Sequence, residues 1–295
     1  MFHPLLAAAA AYTLWGLFPL YFRQLQHVGA LEIVMHRAVW ALAFVLVLLA
    51  AMHRFAALLP VLRDARKLAL FALSALLLSL NWLVYVWATN HGHVIDASLG
   101  YFINPLVSVL LGFVVLRERL RPLQWLAVAF AAAGVLWLTA QAGQPPWIAL
   151  TLAVSFGIYG LLRKTAPLGA LEGLALETML LAPVAIVALL WWAARGESSV
   201  ARGDVATWAW LVASGPLTAV TLLLFAAGAR GLRLATLGLM QYISPTLQFA
   251  LGVWFFKEPF DGARLTGFAA IWVGLALYTA EAAWQMRRVD PPVTA

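Results

Sequence analysis

The sequence predicts an all-α membrane protein of ten transmembrane helices, built as two inverted five-helix repeats with both termini in the cytoplasm. Three observations support this fold class: the apolar composition, the spacing of long apolar runs and an internal repeat. Of the 295 residues, 64% are hydrophobic and 11% are charged, whereas soluble domains carry about 45–50% apolar and about 25% charged residues. Such a composition cannot cover a water-exposed surface.

Ten apolar runs of about 20 residues each have the length that one bilayer crossing needs. Tryptophans near several of their ends support the boundaries, because amphipathic rings favour the headgroup layer. The first run continues to Phe22 with no basic segment before it, so we interpret it as a helix and not as a signal peptide. The predicted spans are residues 4–22, 30–51, 67–89, 94–116, 121–140, 146–163, 170–193, 206–229, 234–256 and 264–284.

The lysines and arginines between the spans predict the orientation. With the N-terminus in the cytoplasm, thirteen of the 19 lie in cytoplasmic segments and five lie on the other side, while Arg37 falls inside a span. Cytoplasmic loops of membrane proteins carry an excess of these residues. The net charge of +7 therefore indicates orientation in an inner membrane. It does not indicate a nucleic-acid partner, because no basic face with interleaved aromatic residues is present.

An internal repeat is found at an offset of 140 residues. Residues 29–32 (Gly-Ala-Leu-Glu) recur as residues 169–172, and residues 103–105 (Ile-Asn-Pro) recur as residues 243–245 (Ile-Ser-Pro). Five helices per repeat is an odd number, so the second repeat enters the membrane in the opposite orientation. The predicted domains are residues 1–143, residues 144–285 and a cytoplasmic tail at 286–295. Further aligned positions are Gly112 with Gly252, Arg117-Glu118 with Lys257-Glu258, and Gly134 with Gly274.

Inverted repeats are typical of secondary transporters, because two equivalent halves can exchange conformations and open one site to either side of the membrane. The sequence has no phosphate loop, no HExxH motif and no nucleophile–base arrangement, so we expect neither an enzyme nor a cofactor. The expected partners are a small-molecule substrate, the lipid bilayer and a proton gradient or substrate gradient. A membrane-embedded enzyme acting on lipid-type substrates and a non-transporting membrane sensor are the alternatives. The oligomeric state is left open, with a dimer as one option.

Several motifs resemble one family. The chain resembles the drug/metabolite transporter superfamily in its EamA branch, and within that branch the RarD-type permeases, over residues 4–285. The resemblance implies a ten-helix inner-membrane permease that exports metabolites or drugs, with chloramphenicol as a family-associated substrate. The motifs are Trp15-Gly16, Leu31-Glu32, His36-Arg37, Asn81-Trp82, residues 90–93 (Asn-His-Gly-His), residues 97–106 (ending Ile-Asn-Pro-Leu), Arg117-Glu118-Arg119 and residues 241–246 (Gln-Tyr-Ile-Ser-Pro-Thr).

Charged residues inside the spans are candidates for the transport site, because a charge at the bilayer centre costs at least about 2.5–3.5 kcal/mol. We predict that Arg37 binds an anionic or polar substrate group and that Glu32 or His36, which are i,i+4 neighbours, exchanges a proton. The alternative is that Arg37 pairs with an acid and only joins helices. The repeat places Glu177 at the equivalent depth, so Glu177 is a further candidate for proton coupling and could pair with Arg37 in one state.

Two equivalent prolines, Pro105 and Pro245, are predicted at mid-span. Each would release the carbonyl four residues earlier, so we predict hinges there, with a static kink as the alternative. His91, His93 and Asp96 lack a fourth ligand, so we interpret them as interfacial and helix-capping residues and predict no metal site. The predicted cavity-lining residues, besides Arg37 and His36, are Tyr12, Trp15, Asn81, Tyr85, Tyr101, Asn104, Gln241, Tyr242, Ser244 and Gln248.

Overall fold

A computed structural model describes residues 4–117, 119–202, 205–231 and 240–289, which contain helices and no strand. Glu118, the first residues of predicted span 234–256 and the end of the predicted tail lie outside the described residues. The helices are α1 (Pro4–Arg23), α2 (Ala30–Ala51), α3 (Leu59–Leu62), α4 (Ala65–Asn90), α5 (Val94–Leu116), α6 (Pro122–Ala142), α7 (Trp147–Thr165), α8 (Ala170–Ala194), α9 (Ser199–Arg202), α10 (Val205–Gly231), α11 (Ile243–Ala250) and α12 (Gly262–Val289).

Eight of the described helices are long and apolar enough to cross a membrane. Two more are shorter apolar helices, Trp147–Arg163 within α7 and Ile243–Phe255, in which α11 continues into a π-helical turn at Leu251–Phe255. The all-α membrane fold is therefore confirmed. Three short helical segments were not predicted, namely a 3₁₀ turn at Phe55–Leu58, α3 and α9. They lie between the long helices, where a search for long apolar runs cannot detect them.

Polar residues fix several helix starts. The Asp64 carboxylate accepts hydrogen bonds from the backbone N–H groups of Arg66 and Lys67 at 3.0 and 3.2 Å, which caps α4. Hydrogen bonding to Lys67 lowers the pKa of Asp64. The first turn of α5 is capped from the other half of the sequence. Glu258 accepts hydrogen bonds from the N–H groups of Val94 and Ile95 at 2.6 and 2.8 Å.

The long helices pack mainly on helices from the other half of the sequence. α2 packs against α8 and α10, α1 packs against α10 and α11, and α4 packs against α7. α5 packs against α7 and α11, while α6 and α12 pack chiefly on each other. The two halves are therefore interleaved and do not form two separate bundles.

Small residues bring α6 and α12 into close contact. A Cβ atom on Gly134 would lie 2.6 Å from the carbonyl oxygen of Gly267, and one on Gly274 would lie 2.6 Å from the carbonyl oxygen of Ala127. Glycine permits this approach because it has no Cβ atom. Gly274 and Gly267 stand 140 residues after Gly134 and Ala127, so the two contacts exchange places under the sequence repeat.

The helices α2 and α8 are antiparallel and are joined at both ends. Glu32, in the first turn of α2, contacts Ser198 and Ser199 just after α8. Glu172, in the first turn of α8, contacts Arg54 just after α2. We call the two sides of the helix bundle the Glu32 end and the Glu172 end.

The two predicted hinge prolines lie in different surroundings. Pro105 is inside α5 as predicted. The prediction of a mid-helix position is wrong for Pro245, because the described helix α11 begins at Ile243 and Pro245 occupies its first turn. A first-turn proline is tolerated there, since its missing N–H has no partner within the helix. Prolines inside helices that the sequence analysis did not single out are Pro19 in α1, Pro183 in α8 and Pro216 in α10.

Candidate functional site

Arg37 on α2 is buried in the interior of the bundle, with a relative exposure of 4%. Its Nε donates a hydrogen bond to Thr218 Oγ1 on α10 at 2.8 Å. The close approach of α2 and α10 depends on Gly215, because a Cβ atom at that position would overlap the backbone of Trp40 and Ala41. Gly215 therefore holds Thr218 within reach of Arg37.

Three aromatic rings surround the Arg37 guanidinium. Its Cζ lies 4.2 Å from the centroid of Trp82 on α4, and 5.6 and 5.7 Å from the centroids of Phe18 and Phe22 on α1. Ring faces attract a cation, and more strongly where water is excluded. We call this group of Arg37, Thr218, Trp82, Phe18 and Phe22 the Arg37 site. The sequence analysis named Arg37 but not Thr218, Phe18 or Phe22.

Polar atoms in and next to the Arg37 site are left without hydrogen-bond partners. Arg37 Nη1 and Tyr85 Oη are buried, and neither has a partner among the described residues. The Tyr85 ring lies 6.1 Å from the Phe22 ring and 5.7 Å from the Tyr101 ring, measured between centroids. Unsatisfied buried donors are costly. A ligand with acceptor atoms could satisfy both of them.

Asn81 joins helices close to this site. Its Nδ2 donates hydrogen bonds to Leu152 O at 3.1 Å and to Ser155 Oγ at 3.0 Å, both on α7. Tyr101 Oη lies 3.5 Å from Asn81 Oδ1, which is the outer limit of a hydrogen bond. These bonds give Asn81 a helix-joining role in this conformation. Asn104 faces α7 at Gly157, and its buried Oδ1 has no partner among the described residues.

Glu177 on α8 lies in a second polar cluster, between α4, α7 and α8. Its carboxylate accepts hydrogen bonds from Ser74 Oγ at 2.5 Å and Tyr159 Oη at 3.4 Å, and it lies 3.8 Å from Arg163 Nε. The proposed pairing of Glu177 with Arg37 is not formed in this conformation. The sequence analysis counted Arg163 only as a loop cation, and it missed Ser74 and Tyr159. An arginine within one helical turn of the end of a predicted span was the available signal.

Arg163 reaches Glu177 by lying across α8. Its guanidinium occupies the space that a Cβ atom on Gly173 would need, and its Nη2 donates a hydrogen bond to Gly169 O at 2.9 Å. Its Cζ also lies 5.5 Å from the Phe71 ring centroid. Glu177 and Arg163 therefore form a buried pair with compensated charge.

The predicted proton-exchange pair Glu32 and His36 does not form a mutual hydrogen bond here. Glu32 accepts from Ser198 Oγ at 3.0 Å, from Ser199 N at 2.9 Å and from Ser199 Oγ at 2.7 Å. The His36 ring lies 6.2 Å from the Trp208 ring, and its buried Nε2 has no partner among the described residues. Glu32 therefore joins α2 to the segment after α8.

A second group of predicted cavity residues lies between α1, α10 and α11. The rings of Tyr12 and Trp15 pack with Phe225 at centroid distances of 5.9 and 5.6 Å. Gln248 Nε2 donates hydrogen bonds to Trp15 O at 3.1 Å and to Ser244 Oγ at 3.3 Å. The structure therefore divides the predicted cavity residues between this group and the Arg37 site.

Gln241 and Tyr242 form the turn before α11. Tyr242 lines an opening of about 430 Å³ between α5, α11 and α12, together with Phe102, Trp272 and Thr279. Each of the three helices contributes to this opening, and none of its lining residues belongs to the Arg37 site. Tyr242 is thus placed apart from Arg37.

The histidines after α4 lie at the Glu32 end. The Trp87 ring stacks on the rings of His91 and His93, at centroid distances of 4.7 and 5.5 Å, and His93 Nδ1 lies 3.1 Å from Asp96. His93 and Asp96 line a surface pocket of about 370 Å³. Within the described parts of the chain, no group of three or more His, Cys, Asp or Glu side chains could hold a metal ion.

Comparison with known proteins identifies relatives along almost the whole length of the chain. The model of the EamA-like transporter family matches residues 3–140. An uncharacterized transporter of Pseudomonas aeruginosa is 48% identical over 282 residues, which cover 96% of this chain and 95% of the relative. Protein RarD of Escherichia coli is 43% identical over 285 residues, covering 97% and 96%. The chloramphenicol-sensitive protein RarD of P. aeruginosa is 34% identical over 290 residues, covering 96% and 95%.

One solved structure supports the fold. It superposes with a TM-score of 0.61 at 22% sequence identity and covers 97% of this chain and 98% of its own. At this identity the likeness concerns the arrangement of the helices alone.

Proposed function

The chain belongs to the RarD-type permeases of the EamA-like transporter family, and from that premise we propose that it moves small metabolites or drug-like molecules by alternating access. It is a multi-pass membrane transporter. The observation that carries the alternating-access mechanism is the pair of glycine contacts between α6 and α12. Gly134 meets Gly267 as Gly274 meets Ala127, and these contacts exchange at the 140-residue offset. Such an exchange is the geometry that an inverted repeat would produce.

The backbone at the end of α5 adds support for two inverted five-helix repeats, at residues 1–143 and 144–285. Arg117 and Lys257 stand 140 residues apart, and both adopt the left-handed conformation, with φ of 55° and 54°. Residues other than glycine adopt this conformation rarely. The same unusual backbone at equivalent positions is therefore expected of two repeats with one fold.

The proposal includes ten membrane crossings with both termini in the cytoplasm. The eight long apolar helices supply eight of them, and the shorter α7 and the segment Ile243–Phe255 supply the other two. The bias of lysine and arginine then places the Glu172 end in the cytoplasm and the Glu32 end outside.

We place the polar group of the cargo at the Arg37 site, between α1, α2, α4 and α10. In this proposal the cargo satisfies Arg37 Nη1, and the pair of Glu177 and Arg163 is the candidate for proton coupling. Glu32 and His36 stay candidates for the same role. The chloramphenicol-sensitive relative makes chloramphenicol one cargo to test.

A flux measurement on purified protein in liposomes tests the function. Vesicles would be loaded with a metabolite and drug mixture, with and without an imposed pH gradient, and export would be followed by mass spectrometry. We expect protein-dependent flux of selected compounds, and loss of that flux in Arg37→Ala but not in Arg195→Ala. Arg195 is the matched control because it packs on Trp191 at the exposed end of α8. New products without flux would favour the enzyme, and neither products nor flux would favour the sensor.

A further inference from the structure

We infer that the Arg37 site receives a monoanion, a planar oxyanion such as a carboxylate carried on an apolar or aromatic body. This inference rests on the proposed function and narrows the cargo to a chemical class. It follows from the charge balance inside the bundle, from the open hydrogen-bond donors and from the rings around the guanidinium.

The charge balance leaves Arg37 uncompensated. Five glutamates are buried among the described residues, and each is occupied elsewhere. None of their partners is Arg37, whose only hydrogen bond in the described part of the chain is to the neutral Thr218. Their partners are Ser198 and Ser199 for Glu32, Arg54 for Glu172, Arg163 for Glu177, the N–H groups of Val94 and Ile95 for Glu258, and Arg121 for Glu281.

The two pseudo-equivalent sites therefore differ in charge. Glu177 has Arg163 at 3.8 Å, so that site is balanced. Arg37, at the equivalent position of the first repeat, has only rings and a hydroxyl. A buried cation in a lipid-embedded bundle normally pairs with an anion or with backbone carbonyls. A monoanionic ligand would supply the missing charge, whereas a neutral or cationic ligand would not.

The open donors fit an oxyanion. Arg37 Nη1 and Tyr85 Oη are both buried without partners among the described residues, and the Phe22 ring lies against both side chains. A guanidinium matches the planar geometry of a carboxylate, and charge-assisted hydrogen bonds are the stronger kind. One cation in the site favours a single negative charge over a dianion.

The surroundings of the guanidinium suit an apolar body. Trp82, Phe18 and Phe22 approach the guanidinium, and the rings of Tyr85 and Tyr101 continue this aromatic surface towards α5. Aromatic rings bind other rings in stacked or edge-to-face arrangements. An aromatic carboxylate therefore matches both the charge and the lining of the Arg37 site.

Benzoate and benzamide test the charge because they share a shape and differ in charge. Binding would be measured by calorimetry on the purified protein in an uncharged detergent, with benzylamine as the cationic probe. We expect benzoate to bind at least about tenfold more tightly than benzamide, because the amide leaves the guanidinium charge uncompensated. Benzylamine should bind more weakly still.

Variants locate this preference. Arg37→Gln should bind benzoate and benzamide equally, while Arg195→Gln should keep the wild-type preference. Equal affinities of the wild type for benzoate and benzamide, or an anion preference that survives in Arg37→Gln, would overturn the inference. The wild-type comparison stands even if Arg37→Gln does not fold. Protein-dependent flux of neutral or cationic compounds alone would refute the anion class but keep the transporter, whereas benzoate binding without any flux would refute the transporter.

Discussion

Glu172 Oε1 and Arg54 Nε lie 2.7 Å apart, and this ion pair ties the first turn of α8 to the segment that follows α2. At the other end of the same helix pair, Glu32 holds Ser199, which follows α8. Glu32 and Glu172 are equivalent in the sequence repeat. The antiparallel helices α2 and α8 thus carry one carboxylate latch at each end, and each latch reaches the segment after the partner helix.

The latch at the Glu172 end predicts an asymmetric effect of its two single substitutions. Arg54→Gln leaves a buried carboxylate without its counter-charge, so we expect it to lower the free energy of unfolding by about 1–3 kcal/mol. Glu172→Gln removes that charge and should cost less, and the double variant should recover much of the loss caused by Arg54→Gln. Denaturant unfolding in detergent measures all three.

Lys67→Gln is the matched control for this latch, because it breaks the exposed ion pair of Lys67 with Asp64. Surface pairs contribute little to stability, so its unfolding midpoint should stay close to that of the wild type. A wild-type midpoint for Arg54→Gln would show that Glu172 does not depend on Arg54.

Alternating access predicts that each end of the bundle must open in turn. The chain has no cysteine, so introduced cysteine pairs can be cross-linked without interference. Cross-linking residues 54 and 172, or residues 32 and 199, should arrest transport, and reduction should restore it. Flux in liposomes before and after reduction is the measurement. Undiminished flux with either pair fully cross-linked would show that α2 and α8 stay joined at that end throughout the cycle.

The close approach of α2 and α10 predicts that Gly215→Ala is destabilising. The new methyl group would overlap the backbone of Trp40 and Ala41, so the two helices must separate, at a cost of about 1–3 kcal/mol. The separation would also withdraw Thr218 from Arg37. Chemical unfolding reports the cost. Gly160→Ala is the control, because a Cβ atom on Gly160 meets nothing within 4 Å, and equal stability of both variants would refute the packing argument.

Much of the fold was predictable because a bilayer demands long apolar helices. The predicted spans agree with the described helices to within a few residues in most cases, as with 94–116 and α5 (Val94–Leu116). Pro245 is the exception, since its alignment with Pro105 suggested a mid-helix position that α11 does not show. The equivalence in sequence was correct at Arg117 and Lys257, where the backbone repeats as well.

The site was only partly predictable, because its partners come from distant segments. Arg37 was identified from its charge within a span, a local signal. Its partner Thr218 stands 181 positions away, and no spacing in the sequence connects the two. Glu177 was likewise identified, but its partner Arg163 lies near a helix end and looked like an ordinary loop cation. The partners follow from helix packing, which the apolar pattern of a membrane chain does not encode.

The position of Arg163 predicts a functional effect of Gly173→Ala with little loss of stability. The new methyl group would occupy the space of the guanidinium, and a long side chain can move away at small cost. Moving it separates Arg163 from Glu177 and leaves the buried carboxylate without its counter-charge. If this pair couples transport to protons, Gly173→Ala should shift the pH dependence of flux in the same direction as Arg163→Gln. Gly160→Ala should leave it unchanged, and a wild-type pH profile for both Gly173→Ala and Arg163→Gln would remove this pair from the coupling mechanism.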